Sequence, residues 1–205
     1  EFRLASTAKP TRDKAKTPEL FFFAPHTGEP YLLIPSVSSE RRRYIPIGFM
    51  NSNTIPSNKI YMIPNVGLYE FGIMTSEMQM AWMRTICGRL KSDYSYSPNI
   101  YHLFPWLKEI SEAHKKKISQ LAQKVLDARS AEFSKNPATS LATLYDPDIM
   151  PMDLRKAHQA LDKAVDAAYS KRKFKNEADR VAFLFAEYEI LLQAEAASKI
   201  PKRKE

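Results

Sequence analysis

Two features that often define a protein class are scarce in this sequence. Its 205 residues include a single cysteine, Cys87, which excludes a disulfide framework and a cysteine-rich zinc site. No apolar run exceeds the six residues at 181–186, which is far shorter than the roughly 20 residues that a transmembrane helix needs. The first twenty residues mix five basic side chains with polar ones, which is not a secretory signal. Because the sequence starts at Glu1 and not at methionine, we expect it to be part of a longer protein.

Glycine is absent from the second half of the chain. All five glycines and ten of the fourteen prolines lie in residues 1–106, and residues 107–205 have no glycine. Glycine and proline mark turns between short elements, whereas their absence over about a hundred residues favours long helices. The net charge of +8 does not follow this division, because each part carries +4. We therefore predict a change of architecture after residue 106.

The first part has the pattern of short strands interrupted by one helix. Residues 1–18 are expected to form a mobile lead-in. Runs bounded by Pro, Gly, Asn or Ser predict strands at residues 20–23, 31–34, 43–49 and 59–63. Thr75 or Ser76 can cap a helix. Its apolar positions recur at steps of three and four, at Met78, Ala81, Trp82, Thr85, Ile86 and Leu90.

The second part has the pattern of three amphipathic helices. The first apolar stripe starts at Leu107 and includes His114, the second follows Asp153 as the predicted N-cap, and the third follows a capped start at Asn176 and Asp179. Three such helices can close a small core together. The chain is therefore predicted to be α+β, with a β-rich domain containing an inserted helix at residues 1–106 and a three-helix domain at residues 107–205.

The sequence lacks the motifs that usually carry catalysis. It contains no Gly-x-Gly-x-x-Gly, no Gly-Lys-Ser/Thr phosphate loop and no His-Glu-x-x-His. The four histidines are scattered, and Pro147-Asp148 lacks the later acid-x-lysine element of a metal-dependent nuclease. We therefore predict no catalytic, cofactor or metal site within this chain.

The segment after the predicted helix, residues 88–97, alternates polar and aromatic side chains. Alternate side chains of an extended chain share a face, which groups Lys91, Asp93 and Ser95 opposite two tyrosines. Lysine can donate to guanine O6 and N7, and aspartate can accept from cytosine N4, so the pair suits one G·C base pair. A surface strand with an ordinary ion pair is the alternative on spacing alone.

Six segments resemble the C-terminal part of the MmeI-like family of restriction–modification enzymes and DNA methyltransferases. They follow the family's order, at residues 38–49, 68–76, 82–97, 104–106, 144–151 and 154–169. They include Arg43-Tyr44-Ile45-Pro46-Ile47-Gly48-Phe49, Leu68-Tyr69-Glu70-Phe71-Gly72 and Gly88-Arg89-Leu90-Lys91-Ser92-Asp93-Tyr94-Ser95. In that family this part is a target recognition domain followed by a helical segment.

The resemblance implies that the chain recognises duplex DNA for a larger enzyme. Members of the family move the methyl group of S-adenosylmethionine to adenine N6, and many also carry a nuclease, whose cleavage would use Mg²⁺. The implied partners are duplex DNA and the methyltransferase domain of the same parent chain. The implied location is the bacterial cytoplasm, with no membrane partner.

The resemblance also places the family's base-reading positions in two loops of this chain. They fall after the helix and before the Ile-Pro-Asn strand, at Lys91, Asp93, Ser95, Asn58, Lys59 and Ser36. Many members have arginine where this chain has Ser95. By charge alone, Arg41, Arg42 and Arg43 suit phosphate contacts that set register, with a solvated basic turn as the alternative.

A function from another class stays open on the sequence. A non-catalytic interaction domain or an RNA-binding domain with a helical tail would also be basic, since a net charge of +8 suits any polyanion. Interleaved aromatic and basic residues fit single-stranded RNA. The aromatic-basic octamer and the Gly-x-x-Gly loop of common RNA-binding domains are absent.

Overall fold

The computed structural model describes residues 1–20 and 28–198, with side chains up to residue 196. The elements of the first part are α1 (Lys9–Asp13), β1 (Tyr31–Pro35), β2 (Val37–Ser38), β3 (Gly48–Met50), β4 (Ile60–Pro64), α2 (Leu68–Met74), α3 (Glu77–Ile86), β5 (Gly88–Leu90), β6 (Asp93–Ser95) and α4 (Pro98–His102). Those of the second part are α5 (Glu112–Lys135), α6 (Leu141–Leu144), α7 (Met152–Tyr169) and α8 (Glu177–Ser198). The predicted α+β class is confirmed.

The strands form two small antiparallel sheets that meet at Ser36. The strand order is β3–β1–β4 in one sheet and β2–β6–β5 in the other. The Ser36 N–H donates to the Lys59 carbonyl over 2.9 Å, and the Ser36 carbonyl accepts from the Tyr96 N–H over 2.8 Å. These two bonds place the residue before β4 beside the end of β6.

The strand predictions have different outcomes. The strands at residues 31–34 and 59–63 are confirmed as β1 and β4. The strand at residues 43–49 is wrong except at its end, because β3 begins at Gly48 and Pro46 has no N–H for a ladder. The strand at residues 20–23 falls mostly outside the described residues. The expected lead-in contains α1 and a 3₁₀ turn at Lys14–Lys16, neither of which has a buried residue.

The helix predicted after Thr75 or Ser76 is confirmed as α3, with Ser76 in the N-cap position. It ends at Ile86, so the prediction that Leu90 belongs to its apolar stripe is wrong. Leu90 lies in β5. Helix α2, which directly precedes α3, was not predicted, because Gly72 lowers its helix propensity.

The three long helices of the second part are confirmed, but two of their starts differ from the predictions. Helix α5 begins at Glu112, because the Ser111 hydroxyl caps it by accepting from the His114 N–H. His114 is therefore exposed on the first turn and does not lie on the buried stripe. The N-cap of α7 is Pro151, not Asp153. For α8, the Asp179 N–H donates to the Asn176 side chain over 3.0 Å, as a capped start requires.

Both parts of the chain share one hydrophobic core. Helix α5 packs against α2 and α7, and α8 packs against α3. The α2–α5 approach requires glycine, because a Cβ on Gly72 would lie 2.7 Å from Ile118 Cγ2. Trp82 of α3 contacts the rings of Phe185 and Tyr188 on α8, with centroids 5.3 and 5.6 Å away. The long helices therefore hold α2 and α3, the helices that lead into β5 and β6.

A buried carboxylate joins α7 to the first part. Asp162 accepts hydrogen bonds from the Tyr44 hydroxyl over 2.7 Å and from the Glu77 backbone N–H over 2.9 Å. Burial raises the pKa of Asp162 to about 7. These two bonds satisfy the side chain within the core, where an unpaired polar group would be costly.

A second buried polar cluster surrounds His158 of α7. Its Nε2 lies 2.6 Å from the Tyr145 hydroxyl. Burial holds the pKa of His158 well below its usual value, so the ring is neutral. Arg129 of α5 donates to the Tyr145 hydroxyl and, over 2.7 Å, to the Ile47 carbonyl. His158 is thus a partnered core histidine, as its place on a helix stripe indicates.

Candidate nucleic-acid interface

Strands β5 and β6 form a hairpin closed by the two-residue turn Lys91–Ser92. Leu90 lies opposite Asp93, and Gly88 lies opposite Ser95. The continuous extended segment predicted for this region is therefore wrong, and Lys91 belongs to the turn instead of a strand. Lys91 has a φ of 56°, which is uncommon for a residue other than glycine.

Arg89 supports the turn from the back of the hairpin. Its guanidinium lies over the Tyr94 ring at 4.1 Å from the centroid and donates to the Ser92 carbonyl over 2.8 Å. Tyr94 and Tyr96 are both buried, which confirms the predicted tyrosine face. The rear of the hairpin is thus tied to the core.

The front of the hairpin carries polar side chains. Asp93 and Ser95 are half-buried, in alternation with the buried Tyr94, as the spacing predicts. Val37 of β2 lies opposite Ser95. We call this side of the β2–β6–β5 sheet the front face, with the members Val37, Gly88, Leu90, Asp93 and Ser95.

The second predicted loop lies against the same sheet. Lys59 is bonded through its carbonyl to Ser36, and Ser36 is bonded to Tyr96, the neighbour of Ser95. Asn58 and Lys59 are exposed, and Ser36 is half-buried. The structure therefore brings Ser36, Lys59 and Ser95 together at the base of the hairpin, while Lys91 lies at its tip.

The side chains of these predicted base readers have no partners among residues 1–20 and 28–198. None of Lys91, Asp93 and Lys59 takes part in an ion pair there. The ordinary Lys91–Asp93 ion pair, the alternative on spacing alone, is therefore not formed. Donors and acceptors on this edge are free to bind a ligand.

The three arginines of the basic turn differ in how far their charges are neutralised. Arg41 forms an ion pair with Asp148. Arg43 Nε lies 2.5 Å from Glu77 Oε1. Arg42 has no carboxylate partner in the described part of the chain. Its guanidinium donates to the Ala142 carbonyl over 3.4 Å.

An open cleft of about 610 Å³ lies beside this turn. Its lining is polar and joins the turn to the start of α8 through Glu40, Arg41, Arg42, Arg43, Glu77, Arg84, Lys175, Asn176, Glu177 and Arg180. Arg84 bridges the two sides, with Nη1 at 2.5 Å from Glu177 and 3.5 Å from Glu77. Cations outnumber carboxylates along this wall.

The described residues offer no metal site, no membrane span and no activated thiol. No cluster of three or more His, Cys, Asp or Glu side chains is arranged there to hold a metal ion. None of the helices there has the length and apolar character needed to cross a membrane. Burial raises the pKa of the Cys87 thiol, which disfavours the nucleophilic thiolate form.

Residues 1–108 match the family model of the MmeI target recognition domain, and residues 110–194 match that of the MmeI C-terminal domain. This chain belongs to the MmeI family. It is similar to a solved structure of the type IIL restriction–modification enzyme MmeI in complex with DNA, with a TM-score of 0.84 and 47% identity over 94% of this chain. It is also 38% identical over 188 residues, 91% of its length, to DNA methyltransferase A of Bacillus subtilis (strain 168).

The chain spans a minor part of these relatives. It covers 25% of the MmeI chain and 21% of DNA methyltransferase A. The predicted resemblance to the MmeI-like family is therefore confirmed for the recognition and C-terminal portions.

Two residues of the front face were missed by sequence reasoning. Leu90 and Val37 are 58% and 36% exposed, respectively, beside the predicted base readers. Leu90 fits the helical spacing of α3, so the sequence pattern assigned it to that helix and not to a strand. The available signal was Gly88, since glycine commonly follows the last turn of a helix.

Proposed function

We propose that this chain is the sequence-reading part of an adenine-N6 DNA methyltransferase, with residues 1–106 as the recognition domain and residues 107–205 as its helical support. One observation carries the proposal: the residues that match an MmeI target recognition domain hold an edge of exposed and half-buried donors and acceptors without partners in the described part of the chain. Such an edge suits the major groove, where each base pair presents its own pattern of donors and acceptors.

Base reading is assigned to the hairpin and to the residues beside it. Lys91 donates to guanine O6 or N7, and Asp93 accepts from cytosine N4 of the same base pair. Ser95, Asn58, Lys59 and Ser36 read neighbouring positions. Lys91 lies in a tight turn that the Arg89 side chain stabilises. The turn limits the motion of the lysine backbone. Such preorganisation lowers the entropic cost of binding.

Phosphate contacts are assigned to the basic turn, with Arg42 as the main one. Arg41 and Arg43 are partly neutralised by Asp148 and Glu77, so each contributes less to phosphate attraction than its formal charge suggests. Phosphate contacts fix register and carry no sequence information directly.

Catalysis belongs to the rest of the parent protein in this proposal. The methyltransferase domain of that protein binds S-adenosylmethionine and transfers the methyl group, in the bacterial cytoplasm. The relatives leave ample length for such domains, because this chain covers at most a quarter of each.

A competition assay tests the proposal against the RNA-binding alternative. Labelled duplex DNA is bound to the chain and displaced with unlabelled duplex DNA or single-stranded RNA of equal length at several salt concentrations. We expect duplex DNA to compete better, and the affinity to fall steeply with salt, by about 0.9 in log–log slope for each phosphate neutralised. Stronger competition by RNA, or a slope near zero, would contradict the proposal.

A further inference from the structure

Leu90 is an exposed apolar side chain of the front face, at the end of the edge strand β5 beside the turn. It is 58% exposed and belongs to no core cluster. A single exposed leucine is normal on a protein surface, so exposure alone assigns nothing. Its register does carry information, because Leu90 lies directly opposite Asp93 across the hairpin.

Residues opposite each other in an antiparallel pair point to the same face, with Cβ atoms about 4.5–5.5 Å apart. Successive bases along a DNA strand are about 3.4 Å apart. If Asp93 reaches the edge of one base pair, Leu90 is therefore within reach of the next one. Gly88, on the same strand and face as Leu90, has no side chain to hold the bases away.

Thymine is the base that offers an apolar group in the major groove, its C5 methyl. Leucine has no donor or acceptor, so it can recognise a base edge only by burying such a group. Polar edges placed against Leu90 would instead lose their water without a new hydrogen bond. A T·A pair is therefore the neighbour that this side chain favours.

We propose that Leu90 is a specificity-determining residue that contacts the thymine methyl of the base pair adjacent to the one read by Asp93. This assignment rests on the proposed function. It adds apolar recognition to the polar readers, on a strand that holds none of the base-reading positions implied by the family resemblance.

The test uses the full-length protein that carries this chain. Its recognition sequence is first read by mapping methylated adenines in DNA exposed to the protein. Duplexes with that sequence are then made in which each thymine in turn is replaced by uracil, which removes only the methyl group. Dissociation constants are measured for the wild type, for Leu90→Ala and for Leu192→Ala. Leu192, on α8, is the matched control because it is also about half exposed, at 48%.

We expect one uracil substitution, beside a G·C pair, to weaken wild-type binding by about fourfold, the value of one buried methylene-sized group. Leu90→Ala should bind the thymine and uracil duplexes equally, whereas Leu192→Ala should keep the wild-type difference. Equal melting temperatures of the two variants would show that folding is not the cause.

Three results would overturn the assignment. The first is a wild type that tolerates uracil at every position, and the second is a mapped sequence with no T·A pair beside a G·C pair. The third is a Leu90→Ala protein that stays sensitive to the same uracil. Failure of the proposed function looks different, because the wild type would then bind the mapped sequence no better than a scrambled duplex.

Discussion

Replacing Gly72 with alanine tests how the helical part is fitted to the recognition part. Gly72 is buried in α2, and an added Cβ would lie 2.7 Å from Ile118 Cγ2 and 3.3 Å from Ala122 Cβ on α5. The first distance is well below the roughly 3.5–4.0 Å of a favourable carbon contact. The two helices must therefore separate, or the Ile118 side chain must leave its position.

The expected free energy combines two opposing effects. Alanine is about 1 kcal/mol better than glycine inside a helix, whereas overpacking a core costs about 1–3 kcal/mol. We expect Gly72→Ala to lower the free energy of unfolding by up to about 2 kcal/mol. In an Ile118→Ala background the clashing atom is gone, so the same change should raise that free energy by about 1 kcal/mol.

Denaturant unfolding is followed by tryptophan fluorescence for the wild type, Gly72→Ala, Ile118→Ala and the double variant. The four free energies of unfolding measure the coupling between positions 72 and 118. Gly88→Ala is the control, because its added Cβ would have an ordinary 3.8 Å contact with Ser95. The packing argument would be refuted if Gly72→Ala changed the free energy of unfolding by the same amount in the wild type and in the Ile118→Ala background.

Burial raises the pKa of Asp162 to about 7, above its usual 3.8, so the folded state binds more protons between these values and is destabilised as the pH rises through them. The free energy of unfolding of Asp162→Asn, measured relative to that of the wild type, should therefore rise between pH 5 and pH 8. A difference that stays constant over this range would contradict the reasoning. Because the φ of Lys91 is 56° and a left-handed backbone costs an L-residue about 1–2 kcal/mol, Lys91→Gly should raise the free energy of unfolding by about 1 kcal/mol. Ser92→Gly, at the other turn position, should not raise it. Arg42→Ala should weaken binding to all duplex sequences about equally and lower the salt slope by about 1, whereas Lys124→Ala on the exposed face of α5 should leave both unchanged.

Four of the helices and two of the strands could be predicted because their signals are local. The apolar stripes of α3, α5, α7 and α8 repeat at helical spacing, and Ser76 occupies the N-cap position of α3. The hairpin could not be recognised in the same way, because Lys91–Ser92 lacks the Asn-Gly or Gly-x signal of a two-residue turn. The turn is held by the hydrogen bond from the Arg89 side chain to the Ser92 carbonyl, a contact that spacing does not encode.

The candidate site was predicted in part. The alternation of Asp93, Tyr94 and Ser95 follows from the period of a strand, and the buried tyrosine confirms it. The meeting of Lys59 with the end of β6 depends on the backbone bonds of Ser36. The neutralisation of Arg43 depends on Glu77, 34 residues away. Such long-range contacts arise from packing of the whole core, so no local pattern contains them.

The exchange of charge at the hairpin tip tests the central claim most directly. The full-length protein is made with Lys91→Glu and Asp93→Arg together, and methylated adenines are mapped and compared with those of the wild type. Each single variant and an Arg42→Ala variant serve as controls.

If Lys91 and Asp93 read one base pair, the double variant should methylate a motif in which one G·C position has become C·G. Each single variant should mainly lose activity, because the remaining side chain then faces an unmatched edge at a cost of about 1–3 kcal/mol. An active double variant whose motif is unchanged at every position would show that Lys91 and Asp93 do not read the DNA.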